Sequence, residues 1–195
     1  MSVRVLAAGA LALALAACAT HPPPLAGVVY TGKLAVRSEA AGDQAARSDS
    51  GQFELSGSPS EGQLVLTSPI GVAVARASWS HPAGIHGEPG QIELEANGRT
   101  LRFDSLDAMT QEAIGQRLPL AAMFDWLAGR PWPGAPATRA PDGGSFEQLG
   151  WHVDLASFAP SQLIVADRTA PPPALHVRVK LDPPAAAASA ASAAS

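Results

Sequence analysis

Apolar side chains recur at every second position over most of this chain, and that alternation commits it to β-strands with one buried face. Leu34 and Val36 alternate with Lys33, Ala35 and Arg37, and Phe53 and Leu55 with Gln52 and Glu54. Glu93 separates Ile92 from Leu94, and Arg102 separates Leu101 from Phe103. The pattern returns in Trp151, Val153 and Leu155, in Leu163 and Val165, and in Leu175, Val177, Val179 and Leu181. Asn97-Gly98 stands between two of these runs, and both residue types accept the positive φ that a two-residue hairpin turn demands. The expectation is a mainly β fold with short helices: an antiparallel sheet, strongly curved or half closed, with one apolar and one wet face.

Two segments change period. Over 106–118, Leu106, Met109, Ala113, Ile114 and Leu118 fall on one helical face, with Ser105 as N-cap and Pro119 as terminator. Over 120–127, Leu120, Met123, Phe124 and Leu127 share one side, and Gly129 and Pro131 close the helix. The stretch 131–144 is rich in Pro, Gly and Ala and reads as a loop. Two short amphipathic helices in mid-chain can cover the open face of a sheet, either as a movable cover or as the seal of a dry core.

The 47% apolar fraction overstates that core, because much of it is alanine at the two ends. Residues 1–17 carry one positive charge, Arg4, and then an uncharged apolar run too short to cross a bilayer, the form of a secretory signal peptide. Leu15-Ala16-Ala17-Cys18 resembles the bacterial lipobox, in which the cysteine sulfur receives a diacylglycerol. Cys18 is the only cysteine, which excludes an intramolecular disulfide. The expected organisation is a lipidated Cys18 with a Pro-rich tether over 18–26, a folded domain over 27–183 and a disordered Ala/Ser tail over 184–195.

Chemistry is sparse. No nucleophile elbow, zincin, dinucleotide or Walker motif occurs, and the five histidines show no metal-ligand spacing. His152 and His176 take the polar phase of their strands, beside Asp154 and Arg178. His81 and His86 fall in a Gly- and Pro-containing stretch over 80–90. A net charge of −4, with only two lysines, gives no electrostatic footprint for nucleic acid. The expectation is a protein that is not an enzyme and uses neither metal nor cofactor.

One segment breaks the rule that turn tips are polar. Pro69, Ile70 and Gly71 join two alternating runs, and Pro fixes φ while Gly permits a tight reversal. Ile70 either folds back onto the core or points outward to touch something apolar. Inserted in a bilayer, it would contribute about 1.5–3 kcal/mol, suited to a transient touch and too weak for an anchor.

Taken in order, the lipobox, Gly32-Lys33-Leu34-Ala35-Val36, Leu66-Thr67-Ser68-Pro69-Ile70-Gly71, Leu118-Pro119-Leu120, Trp126-Leu127-Ala128-Gly129 and Gln148-Leu149-Gly150-Trp151 resemble the LolB family over 32–181. That resemblance implies an incomplete antiparallel β-barrel covered by a helical lid and enclosing a hydrophobic cavity. It implies an outer-membrane lipoprotein, facing the periplasm and lipid-anchored at Cys18. Such a protein accepts acylated lipoproteins from the periplasmic carrier LolA and inserts them into the outer membrane. The partners it implies are that carrier, the acylated cargo and outer-membrane lipid, with the protein itself a monomer. Pro69, Ile70 and Gly71 map onto the family's membrane-contact loop. Candidate residues for the acyl-chain cavity are Leu34, Leu64, Leu94, Phe103, Met109, Met123, Phe124 and Val153. Each CH₂ kept from water is worth about 0.8 kcal/mol, so acyl chains must pass between apolar sites without exposure. The segment 80–90 reads as an insertion relative to the family. The other readings open to the chain are a structural envelope lipoprotein of an assembly complex, with a closed core, and a periplasmic lipid-handling enzyme.

Overall fold

The computed structural model describes residues 27–80 and 90–183. The chain first lays down β1 (Val28–Ser38), β2 (Arg47–Gly57), β3 (Glu61–Thr67), β4 (Ala73–Ser80), β5 (Gln91–Ala96) and β6 (Arg99–Phe103) as successive antiparallel neighbours. Two helices follow, α1 (Leu106–Ile114) and α2 (Leu120–Trp126). The sheet is then completed by β7 (Ala137–Arg139), β8 (Ser145–Gln148), β9 (Trp151–Asp154), β10 (Leu163–Arg168) and β11 (Leu175–Leu181), with a four-residue α3 (Phe158–Ser161) before β10. β11 returns to pair with β1, which gives one eleven-stranded sheet in the order β6-β5-β4-β3-β2-β1-β11-β10-β9-β8-β7. β6 and β7 are its two margins, so the sheet does not close into a barrel.

The expected alternation places Val36, Phe53, Leu55, Leu64, Ile92, Leu94, Val153, Leu175, Val177 and Val179 on the buried face. Strand β10 departs from it. Leu163 and Val165 are only half buried, and the core takes Ile164 and Ala166 instead. Leu163-Ile164-Val165-Ala166 is apolar throughout, so period 2 alone leaves its phase open. The neighbour decides: Ile164 lies opposite Val179 and Ala166 opposite Val177, both already committed to the core.

How far the sheet curls follows from α2. Phe124 meets Trp79 of β4 edge-on at 6.2 Å, while Trp126 meets Phe146 of β8 at 6.2 Å and Trp151 of β9 at 6.1 Å. β4 and β9 stand six strand spacings apart, about 29 Å along the sheet. One seven-residue helix reaches both only because the apolar face wraps around it.

Helix α1 starts as expected, with Ser105 Oγ accepting the Ala108 N–H at 3.2 Å. It stops at Ile114 rather than reaching 118, because Gly115 takes φ +74 as a left-handed cap. Thr110 supports the turn that follows: its buried hydroxyl accepts from the Leu118 N–H at 3.0 Å and donates to the Asp107 carbonyl at 3.1 Å. Thr110→Val keeps the shape and orphans that buried N–H, so it is expected to lower unfolding free energy by about 1–3 kcal/mol in urea titration.

The 131–144 stretch is not wholly a loop, since Ala137–Arg139 adds β7 as a short, exposed margin strand. Asn97-Gly98 forms the expected hairpin turn with φ +53 and +71. The β8–β9 hairpin uses the same geometry at Leu149-Gly150, φ +54 and +76. A leucine there costs about 1–2 kcal/mol, since its Cβ crowds the following carbonyl.

Candidate functional site

The β3–β4 hairpin closes through Pro69, Ile70 and Gly71, and Ser68 organises it. Ser68 accepts the Gly71 N–H on its carbonyl at 2.9 Å and donates its own N–H to Val72 at 2.8 Å. Its hydroxyl accepts the Val72 N–H at 3.2 Å. Gly71 sits at φ +85, the left-handed position of a three-residue hairpin loop. The loop is thereby held by its own bonds, and Ile70 stands 87% exposed at the tip, pointing away from the core. Val72 and Val74 extend the apolar surface down one side, 56% and 49% exposed. A register shift between Leu66 and Thr67 puts an extra residue into β4 beside this loop.

At the base of the hairpin lies a groove of about 350 Å³. Its floor is Leu34 and Val36 of β1, Leu66 of β3, Val74 of β4, and Ala113 and Ile114 of α1; Arg47, Asp49 and Glu112 stand among its polar lining. That volume falls in the range of small-ligand pockets, and the lining pairs an apolar floor with a few polar groups.

The interior is different. Between the sheet and the helices there are two voids of about 20 Å³ each. Each has room for about one water-sized sphere. The enclosed hydrophobic cavity that the family resemblance implies is not seen among the described residues. Of the expected cavity residues, Leu34, Leu64 and Met123 line these voids. Leu94, Phe103, Met109, Phe124 and Val153 line neither; Leu94, Met109 and Val153 are at most 1% exposed and belong to the packed core. The physical reason is the size of the aromatic side chains: Trp79, Phe124, Trp126, Phe146 and Trp151 fill the space under the curl. Leu34 and Ile114 line both the outer groove and one inner void, so they form the partition between them.

Sequence reasoning missed Val74 and Gln148. Val74 had a signal: it is an apolar residue in the polar phase of β4, between Ala73 and the buried Ala75. Gln148 had none, since an inward glutamine in a strand is legible only once its partners are known. It is 2% exposed. Its Oε1 accepts the Trp126 indole N–H at 2.8 Å and the Trp132 N–H at 2.9 Å, while its Nε2 donates to the carbonyls of Trp132 and Ala135 at 2.7 and 2.8 Å.

Among the described residues no three His, Cys, Asp or Glu side chains converge as metal ligands. On the wet face His152 Nδ1 meets Glu147 at 2.7 Å, and His176 lies between Asp167 at 2.7 Å and Glu39 at 3.4 Å. Arg168 ends β10 with its guanidinium 5.3 Å from the Trp151 ring centre. Burial pushes its pKa below the ordinary arginine value. Cys18, the tether over 18–26, and His81 and His86 lie outside the described residues.

Residues 29–181 match the family model described as outer membrane lipoprotein LolB. The chain is 34% identical to the outer-membrane lipoprotein LolB of Bordetella petrii, over 92% of each chain. It is 32% identical to that of Bordetella pertussis over 87% of each, and 27% identical to that of Chromobacterium violaceum over 73% of this chain and 77% of the relative. With the family model spanning the whole sheet from β1 to β11, the chain belongs to the LolB family.

Proposed function

We propose that this protein is an outer-membrane lipoprotein, anchored at Cys18 on the periplasmic face, that accepts acylated lipoproteins from a LolA-type carrier and inserts them into the outer membrane. The observation that carries the reading is the pairing of an 87% exposed Ile70 with an apolar groove directly at the base of its hairpin. The groove offers cargo acyl chains an apolar floor, and Ile70 touches the bilayer where those chains must go. No nucleotide or metal is required: the direction comes from tighter binding than the carrier provides, followed by partition into lipid.

The anchor and the loop are compatible in reach. Val28 begins β1 at one end of the sheet, and the β3–β4 loop lies toward the other end, about eight residues along or about 26 Å. The nine residues 18–26 can span at most about 30 Å. A lipid on Cys18 and the tip of Ile70 can therefore engage the same membrane.

A filled interior favours a second reading, a structural lipoprotein of an envelope assembly whose core never opens. Under the first reading the acyl chain occupies the outer groove and passes inward only if Ile114 and the end of α1 shift from Leu34. A photocrosslinking side chain in place of Ile114 discriminates the two. Incubated with cargo-loaded carrier and irradiated, it is expected to capture acylated cargo and to ignore the same cargo without its acyl chains. Equal capture of both, or of neither, would leave the structural reading standing.

A further inference from the structure

The Ile70 loop shares its end of the sheet with other apolar surface. β1 runs from the end where Val28 faces Gly57 to the end where Ser38 faces Arg47. The antiparallel register then puts the β1–β2, β3–β4, β5–β6, β8–β9 and β10–β11 connections at that second end, the first of them carrying Glu39 and Asp43. At the β8–β9 tip stands Leu149, 47% exposed and at φ +54. The β5–β6 tip meets the same backbone demand with Asn97, which adopts it more readily. Leu149 thus carries a strained backbone that no burial offsets.

Its surroundings carry a second signal. Residues 131–138, 148–151 and 169–174 contain no Asp, Glu, Lys or Arg. Gln148 ties the first of these segments to the β8–β9 tip through Trp132 and Ala135, and the third begins next to Arg168, which stacks on Trp151. An exposed aliphatic tip, flanked by uncharged proline-rich loops and a half-buried Trp132, matches the composition of a membrane–water interface. A protein partner would need a contiguous patch of about 800 Å². A bilayer needs only the inserted side chain.

We propose that Leu149 and the uncharged loops around it form a second membrane-contact point, so that the domain meets a phospholipid bilayer end-on through Ile70 and Leu149 together. The inference rests on the reading of the Ile70 hairpin as membrane contact. The two tips stand six strand spacings apart, ~29 Å around the curl, enough to set the tilt of the domain and hold the groove at the lipid surface.

The test uses the full lipidated chain in vesicles of phosphatidylethanolamine and phosphatidylglycerol doped with nitroxide-labelled lipid. An environment-sensitive fluorophore is placed on Leu149→Cys, Ile70→Cys or, on the wet face away from the tips, Ser78→Cys. Quenching at positions 149 and 70 but not 78 is the expected result. Quenching at 70 alone overturns the second contact and leaves the Ile70 reading intact. Quenching at 149 alone removes the Ile70 reading and overturns the joint contact built on it, while quenching at neither removes both. Shielding of 149 only when the carrier is added assigns that tip to a protein and overturns the proposal. A second variant separates function from folding: Leu149→Asn is expected to melt higher than the parent, yet to release cargo into vesicles several-fold more slowly. Higher melting with unchanged release would deny Leu149 a membrane role.

Discussion

Ile70→Glu is expected to accept acylated cargo from the carrier as the parent does and to lose at least ten-fold in delivery to liposomes. The side chain is 87% exposed and absent from the groove lining, so folding and acceptance do not depend on it. Removing the isoleucine forfeits about 1.5–3 kcal/mol of transfer into lipid. An acidic group at hydrocarbon depth adds a penalty of up to about 3 kcal/mol. Each 1.4 kcal/mol is about ten-fold, so even a shallow, partial insertion leaves an effect of this size. Ile70→Leu restores the apolar volume and should behave as the parent. The measurement is a reconstituted transfer in two stages, carrier to protein by co-purification and protein to vesicle by flotation. Parent-like delivery by the glutamate variant would sink the loop mechanism.

Gln148→Leu is expected to lower the stability of the protein by about 3–5 kcal/mol, through the wall under α2. A carboxamide has two acceptor sites and two donor hydrogens, and Gln148 uses all four. Leucine fills a similar volume but orphans the Trp126 indole N–H, the Trp132 N–H and two carbonyls, at about 1–3 kcal/mol for each that stays dry. Trp126 is buried and bears the full cost, while Trp132 and Ala135 are half buried and recover part of it from water. Against a total stability of about 5–15 kcal/mol this is a large fraction. Gln148→Glu should be no milder, because a carboxylate oxygen would then face the Trp132 and Ala135 carbonyls. Urea unfolding followed by circular dichroism reads the loss directly. A midpoint shift equivalent to less than 1 kcal/mol would show that the four bonds are replaceable by solvent.

These two sites differ in how much of them was legible beforehand. The hairpin was visible because Pro69, Ile70 and Gly71 interrupt two alternating runs, and the conflict between an isoleucine and a turn tip is itself the signal. The structure resolves that conflict by leaving Ile70 outside, held there by the Ser68 bonds. The Asn97-Gly98 turn and the Ser105 cap were legible for the same reason, since each depends on residues within four positions of it. The groove was not legible, because its floor draws on β1, β3, β4 and α1. Nor was the filled interior, which depends on aromatic rings from α2, β4, β8 and β9 meeting under one curl.

What the sequence by itself determined was therefore the local alphabet: strands from period 2, turns from Pro, Gly and Asn, the start of α1 from its Ser105 cap, and an isoleucine at a turn tip where a polar residue belongs. Tertiary structure decided which face of the apolar run in β10 is buried, that Ile70 stands outside the core, that aromatic rings fill the space under α2, and that a groove of about 350 Å³ lies at the hairpin base. The physical reason is range. Backbone preferences act over a few neighbouring residues, whereas packing volume and hydrogen-bond satisfaction are set by groups the chain brings together from strands far apart in sequence.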